Sequence, residues 1–205
     1  MLGVLSRRWR PVALGFLVLL SVASVPAVGE EPQITDPEQD AYPYPGPLNS
    51  YLPKPPNPLL SNDTADILAV TFATATAPQP SHDRAYTVSV RTRREPHGAY
   101  AYLVGGSFGQ DCFLIHDLHP GTARDALVVC RAGETYRLAG SVTGSVASVN
   151  RDTVSATFSF RAFTMPAQLK KDPELRQLYA LTCPADGCSS DGVIDDAFAD
   201  KTFKV

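Results

Sequence analysis

Between residues 66 and 160 apolar and polar side chains take turns. Tyr86, Val88 and Val90 alternate with Thr87, Ser89 and Arg91, and Val154, Ala156, Phe158 and Phe160 alternate with Thr153, Ser155, Thr157 and Ser159. A period of two sends successive side chains to opposite faces, so these stretches read as strands with one face buried. Further apolar runs predict strands over 66–76, 99–104, 112–118, 126–131, 136–149 and 177–182, with a first edge strand at 32–35. Glycine, proline and asparagine punctuate them at 94–98, 104–107, 132–134 and 150–152, which read as turns. The pattern predicts an all-β protein, an antiparallel two-sheet β-sandwich of jelly-roll or immunoglobulin-like type with about eight or nine strands. One or two short helical turns are expected near 166–171, which Pro166 can open, and near 172–176.

The four cysteines sharpen this picture. Cys112 and Cys130 lie symmetrically about Gly121, so a simple antiparallel hairpin sets them opposite each other. Cys183 and Cys188 then remain to close a small loop around Pro184 to Gly187. Disulfides suit an oxidising compartment. The alternative is a four-cysteine metal site, whose ligands normally come in tighter knuckles.

The amino terminus points to the same compartment. Arg7, Arg8 and Arg10 precede an apolar run from Val12 to Val28 that ends in small residues, the order of a secretory signal peptide spanning residues 1–29. Cleavage after Ala27 or after Gly29 fits equally well, and an uncleaved anchor is the competing reading, since roughly 18 apolar residues are the minimum for a span. Residues 30–205 are then one β-sandwich domain, secreted and with no membrane association after cleavage. Removing the leader takes away three arginines, no acid and Trp9, the only tryptophan. The whole chain has a net charge of −3 and an acidic pI near 5.8. It offers no basic field for a phosphate backbone, so nucleic acid is not an expected partner.

Residues 42–60 stand apart from the alternating region. Seven prolines between Tyr42 and Pro58 alternate with Tyr42, Tyr44 and Tyr51. This is a semi-rigid loop lying on the sandwich or an exposed stalk. Prolines present rings at little ordering cost, so these three tyrosines are the expected ligand-binding surface.

The opening Ile34-Thr35-Asp36-Pro37-Glu38-Gln39-Asp40, followed by the Tyr/Pro-rich loop and Ala65 to Val70, resembles extracellular β-sandwiches of the DOMON or family-9 carbohydrate-binding-module type. It is also similar to secreted actinobacterial proteins with this opening, a central cysteine hairpin and a late segment like Asp195 to Val205. Gln39 stands where that family usually has glycine. The resemblance implies a jelly-roll-like sandwich that binds sugars, haem or other small ligands and is not an enzyme. Related sandwiches hold ions in such loops, so Asp36, Asp40 and Asp66 are the expected metal site, for a structural calcium, ahead of the later acids Asp186, Asp191, Asp195 and Asp196.

Other chemistry is weaker. Gly105-Gly106-Ser107-Phe108-Gly109 matches the hydrolase elbow, but that serine needs a helix after it and a strand follows here. His116 and His119 are three apart, on opposite faces of a strand, and are expected at a hairpin mouth. His82 and His97 read as solvated turn residues. Tyr86, Tyr100 and Tyr102 are expected to fill the core with their hydroxyls at its rim. The leading expectation is a secreted, non-catalytic binding module for a carbohydrate or another extracellular ligand. The competing one is a structural scaffold of the cell envelope whose proline-rich segment meets another protein, and a hydrolase using Ser107 is the third.

Overall fold

A computed structural model describes residues 31–36, 63–75, 84–109, 111–160, 174–185 and 195–204. The signal-peptide region, the proline-rich stretch at 42–60 and the expected helical turn at 166–171 lie outside these residues. The described chain is all-β, with twelve strands: β1 (Ile34–Thr35), β2 (Ile67–Ala75), β3 (Arg84–Thr92), β4 (Tyr100–Phe108), β5 (Cys112–Leu118), β6 (Ala126–Ala132), β7 (Thr135–Gly144), β8 (Ser148–Asn150), β9 (Thr153–Phe160), β10 (Glu174–Pro184), β11 (Asp195–Ala199) and β12 (Phe203–Lys204).

They form one continuous curled sheet in the order β1-β2-β3-β9-β7-β6-β5-β4-β10-β11, with β8 on β9 and β12 on β10. Every strand ladder is antiparallel. The strand β7 turns the corner. Its residues up to Val142 pair with β6, whereas Thr143 and Gly144 pair with Ser159 and Phe158 of β9. The corner needs glycine: a Cβ on Gly144 would stand 1.9 Å from the Arg124 carbonyl oxygen. There Gly144 N–H donates to Asp125 Oδ1 at 3.2 Å.

Alternation carries the core as expected. Tyr86, Val88 and Val90 of β3, Leu114 of β5 and Val154 and Phe158 of β9 are fully buried and belong to a single apolar cluster. Fully burying a side chain of this size contributes about 1.5–3 kcal/mol. At one end Asp63 ties the entry of β2 to the exit of β3, bonding Arg93 Nη1 at 3.0 Å and Arg94 Nε at 2.8 Å.

Three expectations are corrected. The described residues hold twelve strands where about eight or nine are expected, because the run 136–149 divides at the corner between β7 and β8 and the carboxyl-terminal stretch adds β11 and β12. The predicted turn at 104–107 lies inside β4. There the small Gly105 and Gly106 admit neighbours rather than bend the chain: an added Cβ would meet the Leu114 carbonyl oxygen at 2.5 Å and Leu178 Cδ2 at 2.9 Å respectively. Residues Glu174 to Arg176, expected as a helical turn, begin β10. The register slips between Arg176 and Tyr179, where Gln177 takes a φ of 50°, and this bulge turns both Leu175 and Leu178 inward. Apolar residues three apart imitate a helical period.

The hairpin disulfide is present in the expected register. Cys112 faces Cys130 across β5 and β6 with Cα atoms 4.1 Å apart and sulfurs bonded. Cys183 is also disulfide-bonded, and Cys188 lies outside the described residues. Replacing Cys112 and Cys130 together by serine is expected to lower stability by about 3 kcal/mol, the chain-entropy value for a loop of this size. Urea unfolding of the variant beside the parent checks this, and equal midpoints would contradict it.

Candidate functional site

The interior holds a polar pair that the strands bring together from opposite sides. His116 is on β5 and Tyr86 on β3, with β6, β7 and β9 between them along the sheet. Their side chains meet across the core, Tyr86 Oη to His116 Nε2 at 2.6 Å, and His116 Nδ1 lies 2.8 Å from the Val104 carbonyl oxygen. A carbonyl can only accept, so Nδ1 carries the ring proton, and Nε2 accepts from the tyrosine hydroxyl. Phe158, Phe72 and Tyr86 stand edge-on to the imidazole with ring centroids 4.6, 5.9 and 5.5 Å away. Burial lowers the His116 pKa from 6.5 to about 4, against a smaller opposing effect of the Val104 hydrogen bond. The same burial pushes the Tyr86 hydroxyl well above 10. His116 therefore sits in the core, not at the expected hairpin mouth, because the even positions of β5 all face inward. Tyr86 fills the core as expected, with its hydroxyl inside rather than at the rim.

A second polar group lies where β2, β4, β10 and β11 begin or end. Asp66 and Asp195 are both buried. Asp195 Oδ2 accepts from the Ile67 N–H at 2.6 Å. Thr182 Oγ1 donates to the Ala65 carbonyl at 2.9 Å, and Tyr102 Oη donates to the Thr64 carbonyl at 2.7 Å. Thus Asp195, read with the late acids, is brought to the opening segment instead. Of the expected calcium ligands, Asp36 follows β1 half-buried, its N–H donating to the Leu68 carbonyl at 3.1 Å, and Asp66 precedes β2. Asp40 lies outside the described residues, and among the described residues no three of His, Cys, Asp and Glu are placed to hold a metal ion.

Ser107 lies within β4, paired with Arg176 on one side and Phe113 on the other, so the strand-to-helix elbow is not formed. Its Oγ is 3.1 Å from the Arg176 carbonyl and 3.2 Å from Gln177 Oε1. The glycines beside it serve packing: Tyr179 of β10 lays its ring over Gly105, and burial there pushes its hydroxyl up to about 12. An aromatic covering a strand glycine replaces the contact that the missing side chain would make.

The outer side of β4, β5, β6, β7, β10 and β11 is the surface that sequence reasoning missed. Register places Phe198, Tyr179, Gly105, Ile115 and Leu127 in one row across five strands. Phe113, Val129 and Leu138 follow in the next row, with Tyr136 beyond. Phe198 is 68% exposed, Leu138 66%, Tyr136 54% and Leu127 45%. Phe113 and Tyr136 meet edge to face at 5.7 Å. No known family, curated protein or solved structure matches this chain. The site is therefore read from its own chemistry: exposed rings and aliphatic groups on a pleated face, with the ion pairs Arg124–Asp117, Arg131–Asp111 and Arg176–Glu174 on the same strands and their connections. The signal was in the sequence. Phe113 and Ile115 on β5, and Leu127 and Val129 on β6, are apolar at the positions that ought to be polar on a solvated face. Tyr42, Tyr44 and Tyr51, the expected ligand surface, lie outside the described residues.

Proposed function

We propose that this is a secreted, non-catalytic binding module, a β-sandwich in which the two halves of the curled sheet act as facing layers and one outer face recognises a carbohydrate or another extracellular ligand. The observation that carries the reading is the apolar row from Phe198 to Leu127, exposed at both ends and half-buried or buried between them, with exposed Leu138 and Tyr136 beside it. An apolar patch of this kind on an outer face marks an interaction surface. Phe198 on β11 and Tyr136 on β7 are separated along the sheet by β10, β4, β5 and β6, and they would offer rings to the apolar faces of two well-separated sugars of one chain. Tyr42, Tyr44 and Tyr51 would add a second set of rings from the proline-rich segment. The engagement of Ser107 and the burial of His116 support a non-catalytic role.

A second reading, an envelope scaffold with a protein partner, is favoured by the aliphatic share of the same face, Leu127 and Leu138 above all. Retention on insoluble polysaccharides separates the two. The chain from residue 30 onward is expected to be retained, Tyr136→Ala and Phe198→Ala each weakening retention about tenfold, with Tyr42→Ala and Tyr44→Ala testing the other rings. Failure to be retained on any polysaccharide, together with crosslinking to an envelope protein that Leu138→Asp abolishes, would replace the carbohydrate reading by the scaffold.

A further inference from the structure

The contact between His116 and Tyr86 joins two strands that share no ladder, one from each half of the sheet, and it does so with a polar bond inside an aromatic interior. Its geometry fixes a single protonation state. Nδ1–H is committed to the Val104 carbonyl, and Nε2 must keep a bare lone pair to receive the Tyr86 hydroxyl. We propose that this contact is an acid-released latch: proton uptake at Nε2 ends the bond from Tyr86, places an imidazolium among aromatic rings, and loosens the two halves of the sheet from each other.

The step is a simple protonation, with the proton taken from solvent. The hydroxyl hydrogen of Tyr86 then points at a ring N–H and has to turn away. Among the described residues Tyr86, on β3, is the titratable group that faces the ring. Phe72 of β2, Phe158 of β9 and Val104 of β4 supply aromatic or carbonyl surface, Phe203 of β12 packs on Tyr86, and among the described residues none of these brings a counter-charge. An unpaired buried charge is costly, so the closed form resists the proton. A base whose pKa falls on folding gives stability that is complete above its unfolded value and is lost as pH falls toward its folded value. For His116 the window runs from 6.5 down to about 4. Its upper part lies above the ordinary carboxylate range, so the latch releases before general acid unfolding.

The test is urea unfolding of the disulfide-intact chain at a series of pH values, followed by far-ultraviolet circular dichroism. Between about pH 7 and about pH 5 the unfolding constant of the parent is expected to rise about twentyfold. His116→Phe is expected to show a flat response over that range, while the exposed-residue control His97→Asn keeps the parental slope. Binding of a dye specific for exposed apolar interiors should rise toward the acid end in the parent and not in His116→Phe. Parallel slopes in parent and His116→Phe would overturn the proposal. Should that variant fail to fold, ring-nitrogen resonances of the parent decide. A bare Nε2 in the folded protein at about pH 5.5 supports the latch, and a folded protein with His116 protonated there refutes it.

Discussion

Alanine at position 144 is expected to destabilise the protein by about 3 kcal/mol or more, the upper end of what overpacking a tight site costs, whereas alanine at position 98 leaves stability unchanged. At Gly144 the added methyl would lie 1.9 Å from the Arg124 carbonyl oxygen and 2.9 Å from a ring carbon of Phe158. The first neighbour is backbone, held in the loop that closes the β5–β6 hairpin, so relief requires moving the corner where β7 passes from β6 to β9. Gly105 is the second such site: its methyl would meet the Leu114 carbonyl at 2.5 Å, again backbone, and the Tyr179 hydroxyl at the same distance. Gly98 has nothing within 4 Å. Thermal melts of the three variants should therefore rank Gly144→Ala lowest, Gly105→Ala below the parent and Gly98→Ala level with it. A Gly144→Ala protein that melts with the parent would mean that β7 does not turn the corner beneath Arg124.

The same glycines show where sequence reading works and where it stops. Period-two alternation is a direct imprint of burial, so the strands through Tyr86, Cys112 and Val154 and the register of Cys112 on Cys130 were legible before any coordinates. A glycine pair inside a strand carries no such imprint. Gly105-Gly106 reads as a turn or, with Ser107, as a catalytic elbow, because the chain does not reveal that Tyr179, more than seventy residues later, will lie across it. The bulge at Gln177 is equally hidden: it converts Leu175, Leu178 and Ala180 into neighbours on one face and thereby mimics a helix. His116 failed for a different reason. Its position in the alternation, even-numbered like Leu114 and Leu118, puts it inside, whereas the hairpin-mouth expectation takes it together with His119 beside the turn. Asp195 could be placed only by the long-range packing that brings β11 to the start of β2. The ligand tyrosines of the proline-rich segment remain an expectation from sequence.

If polarity inside the core is tolerated because it is paired, the pair must be coupled. Tyr86→Phe removes the donor to His116 Nε2 and leaves a buried acceptor, at a cost of about 1–3 kcal/mol. His116→Phe removes the imidazole from its place among Phe72, Phe158 and Tyr86 and frees the Val104 carbonyl, with a cost in the same range. In the double variant the first penalty disappears, since no imidazole remains to be left without its donor. Its loss of stability should therefore fall short of the sum of the singles by about 1–2 kcal/mol, the size expected for groups in direct contact. The measurement belongs at about pH 7.5, where the ring is neutral in folded and unfolded chains alike, so that the coupling reflects the hydrogen bond and not the proton. Three strands separate β3 from β5 along the sheet, so additivity would mean that the two halves of the interior do not meet at these residues, and the acid-released latch would lose its geometric basis along with the bond.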